Sequence, residues 1–307
     1  EVESPGNSFS YTITAAQASG SSSDDADGTI EITNGTDSDH TNGDRMINVK
    51  VTDGEGSNGL KTGDWTVKVT NNSGSTMSYH AWLVASTMSA TLTGGDKTYT
   101  LASPGTASSA ITVGSYSARW RYTDSGGASR SGGSPDLSDD IAEFSSLGPT
   151  RTGSQKPDIC ASGLGLITAT STNYTPSSDL EVISDKYHLI QGTSGSAGIV
   201  SGAVALLLDF NSSLSASTIK TKLTDNADSD DTYTGSIPNS TWGYGILNVF
   251  ESLAKTISSS TTVDHEIYVY DTWNAYASGV LPAGYYFSLK FSPTTSGDVT
   301  GALFHPT

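Results

Sequence analysis

Apolar and polar residues alternate along most of the first hundred positions, which is the period of β-strands with one buried face. Clusters of Gly, Asn, Asp and Ser, which favour turns, separate the alternating segments. The strands that this pattern predicts span residues 8–15, 28–33, 45–51, 64–70 and 79–86. Short strands at such intervals predict an antiparallel β-sandwich or jelly roll over residues 1–97.

The second part of the chain mixes short apolar strands with helices. Residues 110–114 are predicted as a buried strand. Over residues 194–210 apolar residues recur at helical spacing and almost every position is apolar, so we expect a buried helix. Residues 215–227, which open with a capping serine, and residues 245–257 are predicted as two further helices. This mixture indicates an α/β layer over residues 98–260.

Alternation returns near the end of the chain. Residues 266–270 and 285–291 have the pattern of strands. We therefore expect a β-rich C-terminal extension, or β appendage, over residues 261–307.

Charge and cysteine content narrow the class of protein. The chain has 32 acidic and 15 basic residues, and its net charge of −17 argues against nucleic acid or an anionic membrane as a partner. No apolar run reaches the roughly 18 residues that a membrane helix needs. The single cysteine, Cys160, excludes an intrachain disulfide and is expected to be a buried core residue. The composition, which is rich in Gly, Ser and Thr and poor in Lys, favours an extracellular or cell-surface protein.

The candidate chemistry lies where residues 192–198, Gly-Thr-Ser-Gly-Ser-Ala-Gly, lead into the predicted apolar helix. A serine in the first turn of a helix lies among unpaired backbone N–H groups at the positive end of the helix dipole. Those N–H groups can stabilise an oxyanion on a carbonyl that the serine attacks. Taken alone, the segment fits Ser194 as a nucleophile and also as an ordinary serine at a helix N-terminus.

Five segments in fixed order separate these interpretations. They are PGTA with ITVG (104–107, 111–114), FSSLGP (144–149), KPDICASG (156–163), GTSGSAG followed by VSGAVALL (192–198, 200–207), and WGYGILN (242–248). Together they resemble the motifs of the subtilase family of serine peptidases. The resemblance implies the C-terminal portion of a subtilisin-like α/β catalytic domain. It also implies a serine endopeptidase that hydrolyses peptide bonds through an acyl-enzyme on Ser194, with Thr193 supporting the oxyanion hole.

Three positions depart from the family pattern. Gly195 stands where methionine is usual, Gly198 where proline is usual, and Ser162 replaces the proline of Ala-Pro-Gly. All three replacements are small residues, so they leave room near the nucleophile.

The remaining catalytic groups of a subtilase are not recognisable in this chain. The general base is a histidine in a His-Gly-Thr context and the orienting acid is an aspartate, both upstream of the nucleophile. None of the five histidines has that context: His40, His80, His188, His265 and His305. We interpret His80 and His188 as structural. Since the chain also begins without methionine, we expect the Asp, the His and the oxyanion Asn on an N-terminal segment of the same precursor.

The first hundred residues resemble an insert found in one group of subtilases. In spore-germination-type subtilases a jelly-roll domain interrupts the catalytic domain. Residues 4–6 (Ser-Pro-Gly), 65–69 (Trp-Thr-Val-Lys-Val) and 81–83 (Ala-Trp-Leu) are similar to that insert, in order. This interpretation makes Trp65 and Trp82 core residues of the sandwich.

Two alternatives stay open at this point. Acidic turns with Asp24, Asp25 and Asp27, and with Asp37 and Asp39, resemble calcium loops in part, but neither has the full ligand spacing. We interpret them as solvated turns and expect no required cofactor, with structural calcium as the alternative. The alternative function is a catalytically inactive subtilase-like module that serves as an extracellular structural or assembly protein.

Overall fold

The computed structural model describes residues 1–36, 45–53, 60–72, 74–76, 78–84, 90–119, 121–131, 139–184 and 186–256. The chain divides into two compact units, of which unit 1 comprises residues 1–81 and unit 2 begins at residue 82. The domain limits at residues 97 and 260 stay predictions. The predicted appendage over residues 261–307 lies outside the described residues.

Unit 1 is built from short antiparallel strands. Its described strands are β1 (Val2–Glu3), β2 (Ser10–Tyr11), β3 (Ser19–Asp24), β4 (Gly28–Thr36), β5 (Arg45–Thr52) and β6 (Thr66–Val67), with a 3-10 turn at Pro5–Asn7. They form two sheets, one with the order β2-β1-β6 and the other with the order β3-β4-β5. The strands predicted over residues 28–33 and 45–51 are therefore confirmed, whereas the jelly-roll topology stays a prediction.

The core of unit 1 follows from the alternation in β4. Ile30 and Ile32 point inward and are fully buried or nearly so, because every second side chain of a strand faces the same side. Glu31 between them points outward and pairs with Lys50 on β5, with 3.2 Å between Nζ and Oε2. Val2 of the other sheet joins the same core, and Trp65 packs against it, as predicted. Apolar residues of both sheets thus share one core.

Three strand predictions in this region need correction. The segments at residues 8–15 and 64–70 shorten to β2 and β6, because each pairs only with the two-residue strand β1. The described part of the segment at residues 79–86 forms no strand, since no described strand pairs with it. Trp82 is not a sandwich core residue: it is 53% exposed, falls in unit 2, and donates from Nε1 to the Tyr99 carbonyl oxygen at 2.7 Å.

Unit 2 combines a mixed sheet with helices. Its described elements are β7 (Val113–Ser117), β8 (Arg121–Thr123), β9 (Ser129–Ser131), β10 (Ile159–Ala169), β11 (Glu181–Ile183), β12 (Tyr187–Gln191), α1 (Thr193–Phe210), α2 (Ala216–Asp225) and α3 (Val249–Ala254). The main sheet has the order β11-β12-β10-β7, in which β7 and β10 are parallel and the other pairs antiparallel. β8 and β9 form a separate antiparallel pair.

The centre of unit 2 is β10, which the sequence pattern did not predict as a strand. Ile159, Cys160 and Ala161 at its start are almost inaccessible to solvent. A strand covered on both faces carries a continuous run of small and apolar residues instead of an alternation of apolar and polar ones. The search for alternation therefore did not identify β10. Helix α1 packs on β10 and β7. The buried residues of this core are Ile159, Ala161, Val200, Ala203, Leu207, Ile219 and Leu223.

All three predicted helices are present at the expected places in the chain. Their ends, and the burial of α1, differ from the predictions. Ser215 caps α2 as predicted, since its hydroxyl accepts from the Thr218 N–H at 3.1 Å. Helix α3 begins at Val249 instead of residue 245, because Asn248 caps it by accepting from the Glu251 N–H at 2.9 Å.

Only one face of α1 is buried, so the expectation of a wholly buried helix is wrong. Its buried residues are Ser196, Val200, Ala203 and Leu207, which face the sheet. The opposite face, which includes Ala197, Ser201, Ala205 and Leu206, is exposed. By length and composition alone this 18-residue helix could cross a membrane. Its packing on the sheet is the arrangement of a core helix with one uncovered face.

A buried charge cluster joins the beginnings of β7 and β10. Asp158 accepts from Lys156 Nζ and Lys220 Nζ, both at 2.7 Å, and from the Thr112 N–H at 2.8 Å. Lys156 also donates to the Ala110 carbonyl oxygen at 2.8 Å. Burial lowers the pKa of Lys156, although Asp158 beside it favours the charged form. The Lys-Pro-Asp motif thus has a structural role, because it fixes the two parallel strands that carry α1.

Candidate functional site

A sharp turn between β12 and α1 presents Ser194. Gly192 between them has φ 133° and ψ 152°, a conformation that residues with a β-carbon rarely adopt. Its N–H donates to the Gly163 carbonyl oxygen at 2.8 Å, and its own carbonyl accepts from the Gly195 N–H at 3.0 Å. The turn is therefore anchored on β10, and the helix starts one residue later.

The structure places Ser194 where sequence reasoning expected it, in the first turn of α1 with an exposed side chain. The N-cap residue is Gly192, so no side chain caps this helix. Its first N–H groups have no partner within the helix and lie at the positive end of the dipole. Thr193 is the first helical residue and is half-buried. The arrangement can bring a hydroxyl and hydrogen-bond donors for an oxyanion to the same carbonyl group.

Two of the unusual residues of the motif have different surroundings. A β-carbon on Gly195 would lie 2.9 Å from Leu166 Cδ2 and 3.4 Å from Ile190 Cδ1, whereas one on Gly198 would meet no atom within 4 Å. Leu166 therefore occupies the space that a larger residue at position 195 needs. Gly198 leaves the exposed face of α1 open.

Neither described histidine is placed as a recognisable general base. His188 lies on β12, where its Nδ1 shares a hydrogen bond of 2.9 Å with Thr170 Oγ1 and its ring packs at a tilt against Tyr174, with 5.2 Å between the ring centroids. His80 falls in unit 1 and is exposed. His40, His265 and His305 lie outside the described residues. The structural interpretation of His188 agrees with these contacts.

The carboxylates of Asp24 and Asp27 accept hydrogen bonds from other groups of the protein. Asp24 Oδ1 accepts from the Ala26 and Asp27 N–H groups at 2.9 and 3.0 Å. Asp27 accepts from the hydroxyls of Ser4 and Ser8 and from Lys61, which lower its pKa to about 2. Asp37 and Asp39 lie outside the described residues. Within the described ranges, no group of three or more His, Cys, Asp and Glu side chains could hold a metal ion.

Cys160 is a buried core residue, as predicted. It is fully inaccessible, and burial raises the pKa of its thiol to about 12. Its Sγ lies 3.6 Å from the Thr241 carbonyl oxygen. Ser194 is therefore the better candidate nucleophile.

A cavity of about 370 Å³ opens beside α1 and is bordered by the helix and by the beginning of β7. Its lining is small and mostly apolar and includes Ile111, Val113, Ala197, Val200 and Val204. Ala197 is three residues beyond Ser194, so the cavity begins within one helical turn of the candidate nucleophile.

Sequence reasoning missed two buried serines beneath the site. Ser115 on β7 and Ser196 on α1 are completely inaccessible, and their hydroxyls have no hydrogen-bond partner. The sequence gave no signal for them, because serine occurs throughout this chain, in predicted turns as well as in predicted strands.

Comparisons with known proteins give the relatives of this chain. The model of the subtilase family matches residues 6–245. An uncharacterized protein of Aquifex aeolicus is 34% identical over 142 residues, covering 45% of this chain and 59% of that protein. The serine protease AprX of Bacillus subtilis is 33% identical over 136 residues, covering 44% of this chain and 28% of AprX. The chain thus spans less than two thirds of these curated relatives.

Among solved structures, the CspB protease of Clostridium perfringens has a similar fold. The TM-score is 0.54 at 20% identity, and the match covers 86% of this chain and 50% of that chain. This coverage is larger than unit 2 alone, so the likeness of fold extends into unit 1.

Proposed function

The chain belongs to the subtilase family, and on that premise we propose that it is the C-terminal portion of a serine endopeptidase whose nucleophile is Ser194. The observation that carries the proposal is an exposed serine in the first turn of a helix that no side chain caps. The serine oxygen attacks the peptide carbonyl while a base takes its proton, and the first-turn N–H groups stabilise the oxyanion. The amine then leaves with that proton, and water hydrolyses the acyl-enzyme. Thr193 supports the oxyanion hole.

An N-terminal segment of the same precursor supplies the histidine base, the orienting aspartate and the oxyanion asparagine. Two observations support this part of the proposal. The match covers only 50% of the CspB protease chain, which shares the fold. Apolar residues on the exposed face of α1 and in the lining of the adjoining cavity are accessible to solvent. A further segment of the domain can cover this surface.

We also propose that unit 1 is the jelly-roll insert of a spore-germination-type subtilase. Two antiparallel sheets with a common core support a sandwich, and the likeness of fold to the CspB protease reaches into this unit. The substrates are peptides or proteins, and the location is extracellular or at the cell surface, as the composition suggests.

Labelling with a fluorophosphonate tests the chemistry directly. We expect the full-length protein to be labelled stoichiometrically and the Ser194→Ala variant not to be labelled. Ser201→Ala is the matched control, because Ser201 is an exposed serine of the same helix whose hydroxyl only donates to the Ala197 carbonyl oxygen at 2.8 Å. Labelling that persists in Ser194→Ala contradicts the assignment, and no labelling of the full-length wild type favours the inactive module.

A further inference from the structure

Position 195, one residue beyond the candidate nucleophile, has no side chain, and two apolar side chains of the sheet lie close to it. A β-carbon on Gly195 would be 2.9 Å from Leu166 Cδ2 and 3.4 Å from Ile190 Cδ1. Leu166 on β10 and Ile190 on β12 are partners in the antiparallel register of these strands. This cross-strand pair therefore packs against the backbone of the first turn of α1.

The position of the Ser194 oxygen depends on the backbone of that first turn, because the side chain of Ser194 is exposed. No side chain caps the helix. The turn before it is held on β10 by the Gly192 N–H, which donates to the Gly163 carbonyl oxygen at 2.8 Å. Leu166 lies three residues further along the same strand. Strand β10 thus supports the turn at Gly163 by a hydrogen bond and at Leu166 by apolar contact.

We propose that Leu166 is a positioning residue for Ser194, because it supplies from β10 the packing that a glycine at position 195 lacks. Close-packed groups transmit a displacement to their neighbours, so the loss of the Leu166 side chain shifts the first turn. That shift moves the serine oxygen and the N–H groups beside it. The effect on catalysis rests on the proposed function, whereas the packing itself does not.

A double-mutant cycle tests the packing by thermal unfolding of the full-length protein. Leu166→Ala removes the apolar contact, and we expect it to lower Tm by about 5 °C. Gly195→Ala gains helix propensity but places its β-carbon against Leu166 Cδ2, so we expect no rise in Tm. In the Leu166→Ala background the same methyl group enters vacated space, and there Gly195→Ala raises Tm by about 3 °C.

Gly202→Ala is the matched control, because Gly202 is an exposed glycine of the same helix where a β-carbon would meet no atom within 4 Å. We expect it to raise Tm by about 3 °C in both backgrounds. If Gly195→Ala also changes Tm equally in both backgrounds, the proposed packing is wrong.

Kinetics measured well below the lowest Tm separate positioning from stability. We expect Leu166→Ala to lower kcat about tenfold with KM unchanged, because a displaced nucleophile weakens only the transition state. Leu166→Met, which conserves volume, keeps the wild-type kcat. A Leu166→Ala variant with wild-type kcat, or a Leu166→Met variant as slow as Leu166→Ala, overturns the positioning role. If the wild type shows no activity, the proposed function fails, while the Tm cycle still decides the packing.

Discussion

Removing the carboxylate of Asp158 is the most informative perturbation of the fold that carries Ser194. In Asp158→Ala, two ammonium groups lose the carboxylate that each contacts at 2.7 Å. The side chain of Lys156 is 3% exposed and that of Lys220 is 25% exposed, so water can relieve only the second. The Thr112 N–H also loses its acceptor. The variant therefore leaves an uncompensated charge in the interior.

The magnitude follows from measured costs of breaking buried ion pairs. Removing one partner of such a pair destabilises a protein by about 3–5 kcal/mol. For a unit of this size each kcal/mol lowers Tm by about 2–4 °C, so we expect a loss of about 10 °C. Lys255→Gln is the control, because Lys255 forms an exposed ion pair with Glu251 at 3.6 Å, and such pairs contribute about 0–1 kcal/mol.

The pH dependence of the same variant gives a second measurement. Without Asp158, the pKa of Lys156 falls further below its ordinary value, since the carboxylate no longer supports the charged form. The unfolded chain then binds more protons than the folded chain, and stability rises with pH. Scanning calorimetry at pH 7 and pH 10 should show the Tm gap to wild type narrowing. A loss no larger than that of Lys255→Gln, or an identical gap at both pH values, would refute the reasoning.

Three further predictions concern single residues. Asp27 has a pKa of about 2, below its ordinary 3.8, chiefly because Ser4 donates to it, so its contribution to stability is present above about pH 4 and is lost as pH falls towards 2. Ser4→Ala should move the acid-unfolding midpoint of unit 1, followed by circular dichroism, to higher pH, and an unchanged midpoint contradicts this. Ser215→Ala removes the cap of α2 and should cost about 1 kcal/mol in denaturant unfolding; a cost no greater than that of Ser213→Ala in the preceding turn argues against the cap. Cys160, with its buried thiol, should react with an aromatic disulfide reagent only after denaturation, and rapid reaction of the native protein disproves its burial.

Local sequence determined the elements whose signals are complete within a few residues. Alternation in residues 28–33 defined β4, and the serine at position 215 defined the start of α2, because strand faces and helix caps depend on near neighbours. The Gly-Thr-Ser segment before an apolar run was enough to place Ser194 at a helix N-terminus for the same reason. The exposure of the Ser194 side chain could not be predicted locally, because it depends on the turn at Gly192, which a hydrogen bond to Gly163 of β10 anchors.

Tertiary structure decided what depends on residues far apart in the chain. Strand β10 has no alternation to read, because consecutive residues in its first part are buried, so both faces of the strand are covered there. Whether α1 is buried on one face or both depends on which elements surround it, so its apolar composition could not reveal the exposed face. The meeting of Ser115 and Ser196 at Gly163 brings together three elements that are 33 to 81 positions apart. Packing decides which of these side chains become neighbours, and no local pattern of residues encodes it.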